Sequence, residues 1–160
     1  LIMSEYPRYI TDASLAKLAK WLRLLGWNTT VFSGKAGRKM MRLADAEKRI
    51  ILTRRQDMPA RQFAGKLYLV TGKDAGSQIK EVITKFSLKI EKQRLFSICL
   101  RCNERLLPVA KEGVKNFVPP YVFANCGEYN QCPCCRKIYW QGTHERNSLQ
   151  FLERLSITPS

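Results

Sequence analysis

PRYITDASLAKLAKWLRLLG, residues 7–26, joins a short β-rich run to a helical pattern. PRYITD predicts a strand. Leu15, Leu18, Ala19, Leu22 and Leu25 then recur at the helical period until Gly26 stops the helix. The alternation continues downstream. NTTVF (28–32) predicts a second strand, AGRKMMRLADAEK (36–48) a second helix, and RIILT (49–53) a third strand apolar enough to be buried on both faces. MPARQFA (58–64) predicts a short helix, KLYLVT (66–71) a fourth strand and residues 74–86 a fourth helix. Strand–helix units of about 20 to 30 residues predict an α/β fold, a parallel sheet with flanking helices on both faces. Ligand sites in such sheets form beyond the carboxyl ends of the strands. The positions of interest are therefore Asp12, Gly34 to Gly37, Arg54 to Asp57 and Gly72 to Asp74.

The pattern changes after residue 95. LFSICLRCNERLLPV and NQCPCCRKIYW each place a CxxC beside a short β-like run, and FVPPYVF lies between them. The expected organisation is residues 1–95 as the α/β domain and 96–160 as a small metal-stapled module with a closing helix from His144 to Leu155, capped by Thr143. The chain starts at Leu1 and reads as a piece of a longer protein. No apolar run approaches the roughly 18 to 20 residues of a membrane span.

Zinc takes four tetrahedral thiolate or imidazole ligands, and a CxxC turn offers two. Cys99 with Cys102 and Cys132 with Cys135 complete one shell for a structural Zn2+. The 29 residues between the pairs are expected to form an intervening hairpin. Cys126 and Cys134 are left as spare thiols, and His144 reads as a cap or packing residue. Six cysteines confined to residues 99–135 and paired this way predict a reducing, intracellular setting.

Charge points to the partner. The chain carries 28 Lys and Arg against 13 Asp and Glu, a net charge of +15, of which +12 lies before residue 96. Such a field attracts polyanions, nucleic acid or an anionic membrane.

DASLAKLAKWLRLLG, IILTR, CLRCNERLLPV, VPPYV and CPCCRKIYWQGTH together, in this order, resemble the Mut-seven-C domain family, a PIN-like RNase domain followed by a zinc ribbon. The resemblance implies a carboxylate site at the strand ends that holds Mg2+ or Mn2+ for phosphodiester cleavage. It carries over only in part. Asp12 matches the family's first acid, but GKAGRK stands where an acidic stretch is expected. LTRR replaces LTRD, putting Arg55 at an acidic position, and Asp74 can fill the place after the fourth strand. Asp57 falls two residues late. The expectation is a degenerate active site, with an active metal-dependent ribonuclease using Asp12, Asp57 and Asp74 as one alternative and a protein-interaction module as another.

In place of the acids, Lys35, Arg38, Lys39 and Arg42 have the i, i+3, i+4, i+7 spacing of one helical stripe, with Arg54, Arg55 and Lys73 at neighbouring strand ends. Lys17, Lys20 and Arg23 could extend that surface. The expected partner is single-stranded RNA, held through phosphates with weak sequence selectivity. Tyr121, Phe123, Tyr129, Tyr139 and Trp140 read as ribbon core, and Trp21 and Trp27 as packing. The resemblance further implies the C-terminal region of a 3′–5′ exoribonuclease linked to small-RNA silencing, with a protein partner in a silencing complex.

Overall fold

Strand β1 (Arg8–Asp12) lies inside a sheet, buried from Tyr9 to Asp12. A computed structural model describes residues 6–61 and 63–160. In it β1 pairs in parallel with β2 (Thr29–Phe32) and β3 (Arg49–Thr53), and β4 (Leu67–Leu69) completes the order β2-β1-β3-β4. The unbroken apolar run of β3 has the expected consequence that all five of its residues are buried.

The two-residue pleat sorts the core into two clusters. Tyr9, Ile50 and Leu52 meet Leu18 and Leu22 of α1 (Ala16–Leu24) and Ile79 and Val82 of α3 (Ala75–Phe86). Ile10 and Ile51 meet Met40, Met41 and Ala44 of α2 (Arg38–Glu47), with Met58. Helices therefore cover both faces, as the strand–helix alternation predicts. From β1 the chain crosses to β2, and from β3 to β4 on the opposite side, so the topological switch point falls between β1 and β3. Register sets Asp12 beside Phe32 and Thr53 beside Leu69 at the carboxyl ends.

Local chemistry explains the boundaries. The first helix opens as a 3-10 turn, Ala13–Leu15, because the Asp12 carboxylate accepts the Ser14 N–H at 2.9 Å. It ends before Gly26, whose φ of +96° any side chain would resist, and a Cβ there would lie 2.6 Å from Arg94 O. MPARQFA does not form the expected helix. Only Met58–Ala60 coil, as a 3-10 turn, and Arg61 is already extended; Gln62 lies outside the described residues.

The second part holds β5 (Leu107–Val109), β6 (Tyr129–Gln131) and β7 (Ile138–Trp140) in an antiparallel sheet of order β5-β6-β7. The segment between the cysteine pairs folds β5 against β6 in an antiparallel pair, with a 3-10 turn and α4 (Pro120–Asn125) in the long connection between them, and the tight hairpin β6–β7 encloses the second pair. Helix α5 (Thr143–Arg154) starts one residue earlier than expected, with Gly142 as its cap and Thr143 inside it. A Cβ on Gly142 would sit 2.9 Å from Trp140 Nε1, so a side chain there would displace the indole.

The closing helix returns to the α/β core. Leu152 and Ile157 are buried in the cluster that contains Tyr9 and Trp27, and Phe151 stacks on Trp21 with ring centroids 4.7 Å apart. Arg23 makes a second connection. Placed on α1 facing inward rather than on the wet face or the basic surface it could have extended, it is buried and donates from Nε to Thr29 O at 2.8 Å and from Nη1 to Leu100 O at 2.8 Å.

Candidate metal centre and nucleic-acid interface

The two CxxC turns are built alike. After Cys102 and Cys135 come Asn103 (φ +62°) and Arg136 (φ +66°), left-handed residues that fold each turn back on itself. In each turn the left-handed residue's N–H reaches the first cysteine's carbonyl: Asn103 N to Cys99 O at 2.9 Å and Arg136 N to Cys132 O at 3.0 Å. The first cysteine's N–H bonds five residues on, Cys99 N to Glu104 O at 2.7 Å and Cys132 N to Lys137 O at 3.0 Å. Each loop also aims N–H groups at a sulfur, from Cys102 to Cys99 Sγ and from Cys135 to Cys132 Sγ, both at 3.4 Å. Two equivalent loops thus face each other and bring the four sulfurs within 4.8 Å of one another.

That arrangement fits a tetrahedral ion. A Zn–S bond of about 2.3 Å implies sulfurs about 3.8 Å apart, and Cys99 Sγ and Cys135 Sγ lie 3.8 Å apart. Four thiols so close cannot all ionise without a cation. Burial opposes ionisation of Cys99, but the Tyr139 hydroxyl at 3.2 Å and the N–H groups of Cys102 and Arg101 bring its thiol down to about 6. Burial and the neighbouring thiols push Cys102 up, and burial pushes Cys132 up. A dication would reverse this balance, as metal-bound thiols are deprotonated. Cys126 and Cys134 stay outside the cluster, and so does His144, which is exposed on the first turn of α5 rather than a cap or packed.

At the strand ends the predicted acids are present but separately engaged. Asp12 holds Ser14. Asp57 accepts two hydrogen bonds from Arg55, Nε to Oδ1 at 3.0 Å and Nη2 to Oδ2 at 2.9 Å, and one from Arg61 at 3.3 Å. The Arg55 guanidinium, and secondarily Arg61, hold the Asp57 carboxyl below the usual range. Asp74 caps α3 by accepting Ser77 N–H at 2.8 Å, which lowers it likewise. Among the described residues the four cysteines are the one group of three or more His, Cys, Asp or Glu side chains placed to share an ion. Asp12, Asp57 and Asp74 are not part of that group.

Arg55 lies just past the end of β3. Its backbone N–H bonds Thr53 Oγ1 at 3.1 Å, and its Nη1 donates to Ala36 O at 2.9 Å, linking the end of β3 to the start of α2. Lys35, Arg38, Lys39, Arg42, Arg54 and Lys73 are exposed. Lys35 precedes α2, so the helical part of the stripe is Arg38, Lys39 and Arg42. Arg38 and Arg42 line a groove of about 660 Å³ together with Arg61 and Phe63.

Two residues of interest escaped the sequence reading, and a third was read as core. Arg61 lay within a segment expected to be helical. Glu81 accepts from Thr71 N, Gly72 N and Tyr68 Oη at 2.9, 2.8 and 2.6 Å, closing the loop after β4. Its only sequence signal is position, seven residues after the cap Asp74. Tyr121 is not core as expected but 77% exposed, whereas Tyr129 is buried. The prolines before it, which start α4, were the available sign of a short helix with an outward face.

No helix among the described residues is long and apolar enough to cross a membrane. No curated protein and no solved structure matches the chain. The family model of the Mut7-C RNAse domain matches residues 7–152, from β1 through both cysteine turns into α5, and the chain belongs to that family.

Proposed function

We propose that the chain is an RNA-binding unit without nuclease activity of its own, a PIN-like domain (1–95) joined to a zinc ribbon (96–160). It would hold single-stranded RNA for the catalytic domain of a 3′–5′ exoribonuclease acting in small-RNA silencing inside the cell. One observation carries this reading. Where the family's chemistry calls for a carboxylate, the Arg55 guanidinium sits tied to Asp57 within a rim of exposed lysines and arginines. A guanidinium there opposes a hard cation and favours a phosphate oxygen. The rim contacts phosphates, which fixes position on the strand and reads little sequence. Cys99, Cys102, Cys132 and Cys135 would hold Zn2+, which supplies a structural cross-link, and a four-thiolate shell leaves no position open for substrate.

The test is binding of single-stranded RNA as salt rises. If four of these cations each neutralise one phosphate, affinity falls about 50-fold between 50 and 200 mM salt. A flat dependence refutes the reading. RNA affinity unchanged in an Arg38→Glu, Arg42→Glu, Arg55→Glu variant favours a protein-interaction module. Mn2+-dependent RNA cleavage abolished by Asp12→Ala establishes an active nuclease.

A further inference from the structure

A second basic surface lies on the ribbon. A groove of about 790 Å³ opens where the first cysteine turn, α4, β7 and the start of α5 meet α1. Lys20, Arg101, Lys137 and Arg146 line it, with the aromatic rings of Tyr121 and Trp140, and no Asp or Glu does. All four cations are exposed, and none forms an ion pair among the described residues. Such a concentration of one sign in a concave wall focuses a positive potential on whatever enters.

The aromatic rings distinguish this groove from the strand-end rim. Tyr121 projects into solvent at 77% exposure while its neighbours Val122 and Phe123 turn into the ribbon core. Trp140 packs partly on that core and turns its indole edge over Gly142. The floor is held by the cysteine turn, since the Tyr139 hydroxyl accepts Leu100 N–H at 3.1 Å and touches Cys99 Sγ. Stacking rings set among unpaired cations match the two surfaces of an unpaired nucleotide, an anionic backbone and a π-faced base. An acidic peptide would use the cations alone and leave Tyr121 without a role.

We infer that this groove binds the bases of single-stranded RNA, with Tyr121 as a stacking platform and Arg101, Lys137, Arg146 and Lys20 on the adjoining phosphates. The inference rests on the RNA-binding reading above and adds base contacts that the strand-end rim lacks. Its footprint is on the less basic part of the chain, where residues 96–160 carry a net charge of only +3.

The experiment compares a fluorescein-labelled uridine 12-mer with an abasic ribose-phosphate 12-mer. Both are titrated with the full chain and with Tyr121→Ala, Tyr121→Phe, an Arg101→Glu, Lys137→Glu double variant and an Arg38→Glu, Arg42→Glu double variant. Truncating the exposed Tyr121 removes no core contact, and zinc content verifies the fold of each variant. Tyr121→Ala is expected to weaken the uridine oligomer roughly 5- to 100-fold and to leave the abasic one unchanged, with Tyr121→Phe close to wild type. The Arg101→Glu, Lys137→Glu variant should weaken both. If the groove variants bind like wild type while Arg38→Glu, Arg42→Glu weakens binding, the groove is wrong and the strand-end reading stands. Absence of binding to either oligomer by the wild-type chain overturns both. Loss of affinity for a polyglutamate peptide in the Arg101→Glu, Lys137→Glu variant, with RNA affinity intact, assigns the groove to an acidic protein segment and overturns the inference.

Discussion

Replacing Arg23 by Met tests whether the α/β core and the metal centre depend on one another. Methionine keeps the apolar stem that α1 buries and removes only the guanidinium. That guanidinium is a buried charge whose partners are carbonyls: Thr29 O at 2.8 Å on the sheet side, Leu100 O at 2.8 Å and Arg101 O at 3.4 Å within the first cysteine turn. Burial lowers its pKa, while the Cys99 and Cys102 sulfurs act in the opposite sense and favour the charged form. When zinc is bound, four thiolates and one dication leave a net charge of about −2, and Arg23 is the buried positive group that faces it.

Each short charge-assisted bond contributes roughly 1.5 to 3 kcal/mol, and its loss leaves a buried carbonyl without a donor. Recovered burial of the thioether offsets about 1 kcal/mol. Arg23→Met should therefore destabilise the zinc-saturated chain by about 3 kcal/mol in urea unfolding. It should also weaken zinc about 10-fold in competition with a chromophoric chelator, because lost charge compensation acts on the bound state most. A destabilisation below about 1 kcal/mol, or zinc affinity equal to wild type, would refute the idea that this arginine couples the two parts.

Three further outcomes are expected. Cys102→Ser should weaken Co2+ binding and lower the thiolate-to-metal charge-transfer intensity of the cobalt-substituted chain by about a quarter per bound ion, and wild-type metal affinity should drop as pH falls because protons compete for the sulfurs; an unchanged spectrum and affinity would mean Cys102 is not a ligand. Glu81→Gln should cost about 1 to 2 kcal/mol at neutral pH by turning an amide NH2 toward the Thr71 and Gly72 N–H donors. Burial opposes the Glu81 charge, but the bonds from Tyr68, Thr71 and Gly72 hold its folded-state pKa below the unfolded one. Its contribution is thus complete above the unfolded pKa and fades as pH falls through the folded one; a wild-type advantage unchanged at acid pH would contradict this. Gly26→Ala should lower stability by about 2 kcal/mol or more, because φ of +96° is strained for alanine and the new Cβ meets Arg94 O; a neutral effect on the thermal midpoint would show that the backbone there relaxes.

The sheet was legible because its information is local. An apolar run such as RIILT, or a helical repeat ending at Gly26, states its own burial. The cysteine pairs were legible for a similar reason, since a two-residue spacing presets the turn that converges two sulfurs. What failed depended on contacts across the chain. Thr143 has the chemistry of a cap, but the helix begins one residue earlier, with Gly142 against the Trp140 indole in the cap position. Arg23 looks like one more lysine or arginine on a wet helical face, and only the distant Leu100 carbonyl makes it an interior group. MPARQFA has helical composition, yet Arg61 is drawn into extended backbone and its guanidinium to Asp57. Tyr121 is spaced like a core residue, but α4 is too short to bury more than one side.

Helix α1 leads from the strand ends to the ribbon groove. That helix follows Asp12 at the strand ends and runs back along the sheet, carrying Lys17 and Lys20 outward and Lys20 into the ribbon groove. A strand long enough to touch rim and groove makes its second contact intramolecularly, at a high effective concentration, and binds more tightly than the sum of short pieces suggests. Affinity should then rise abruptly between RNA oligomers of about 4 and about 12 nucleotides, rather than in proportion to length. In Arg101→Glu, Lys137→Glu the rise should disappear while the 4-mer binds as before through the rim. A smooth increase with length in the wild-type chain would mean that the two surfaces act on separate ligands, and that the phosphate rim alone positions the strand.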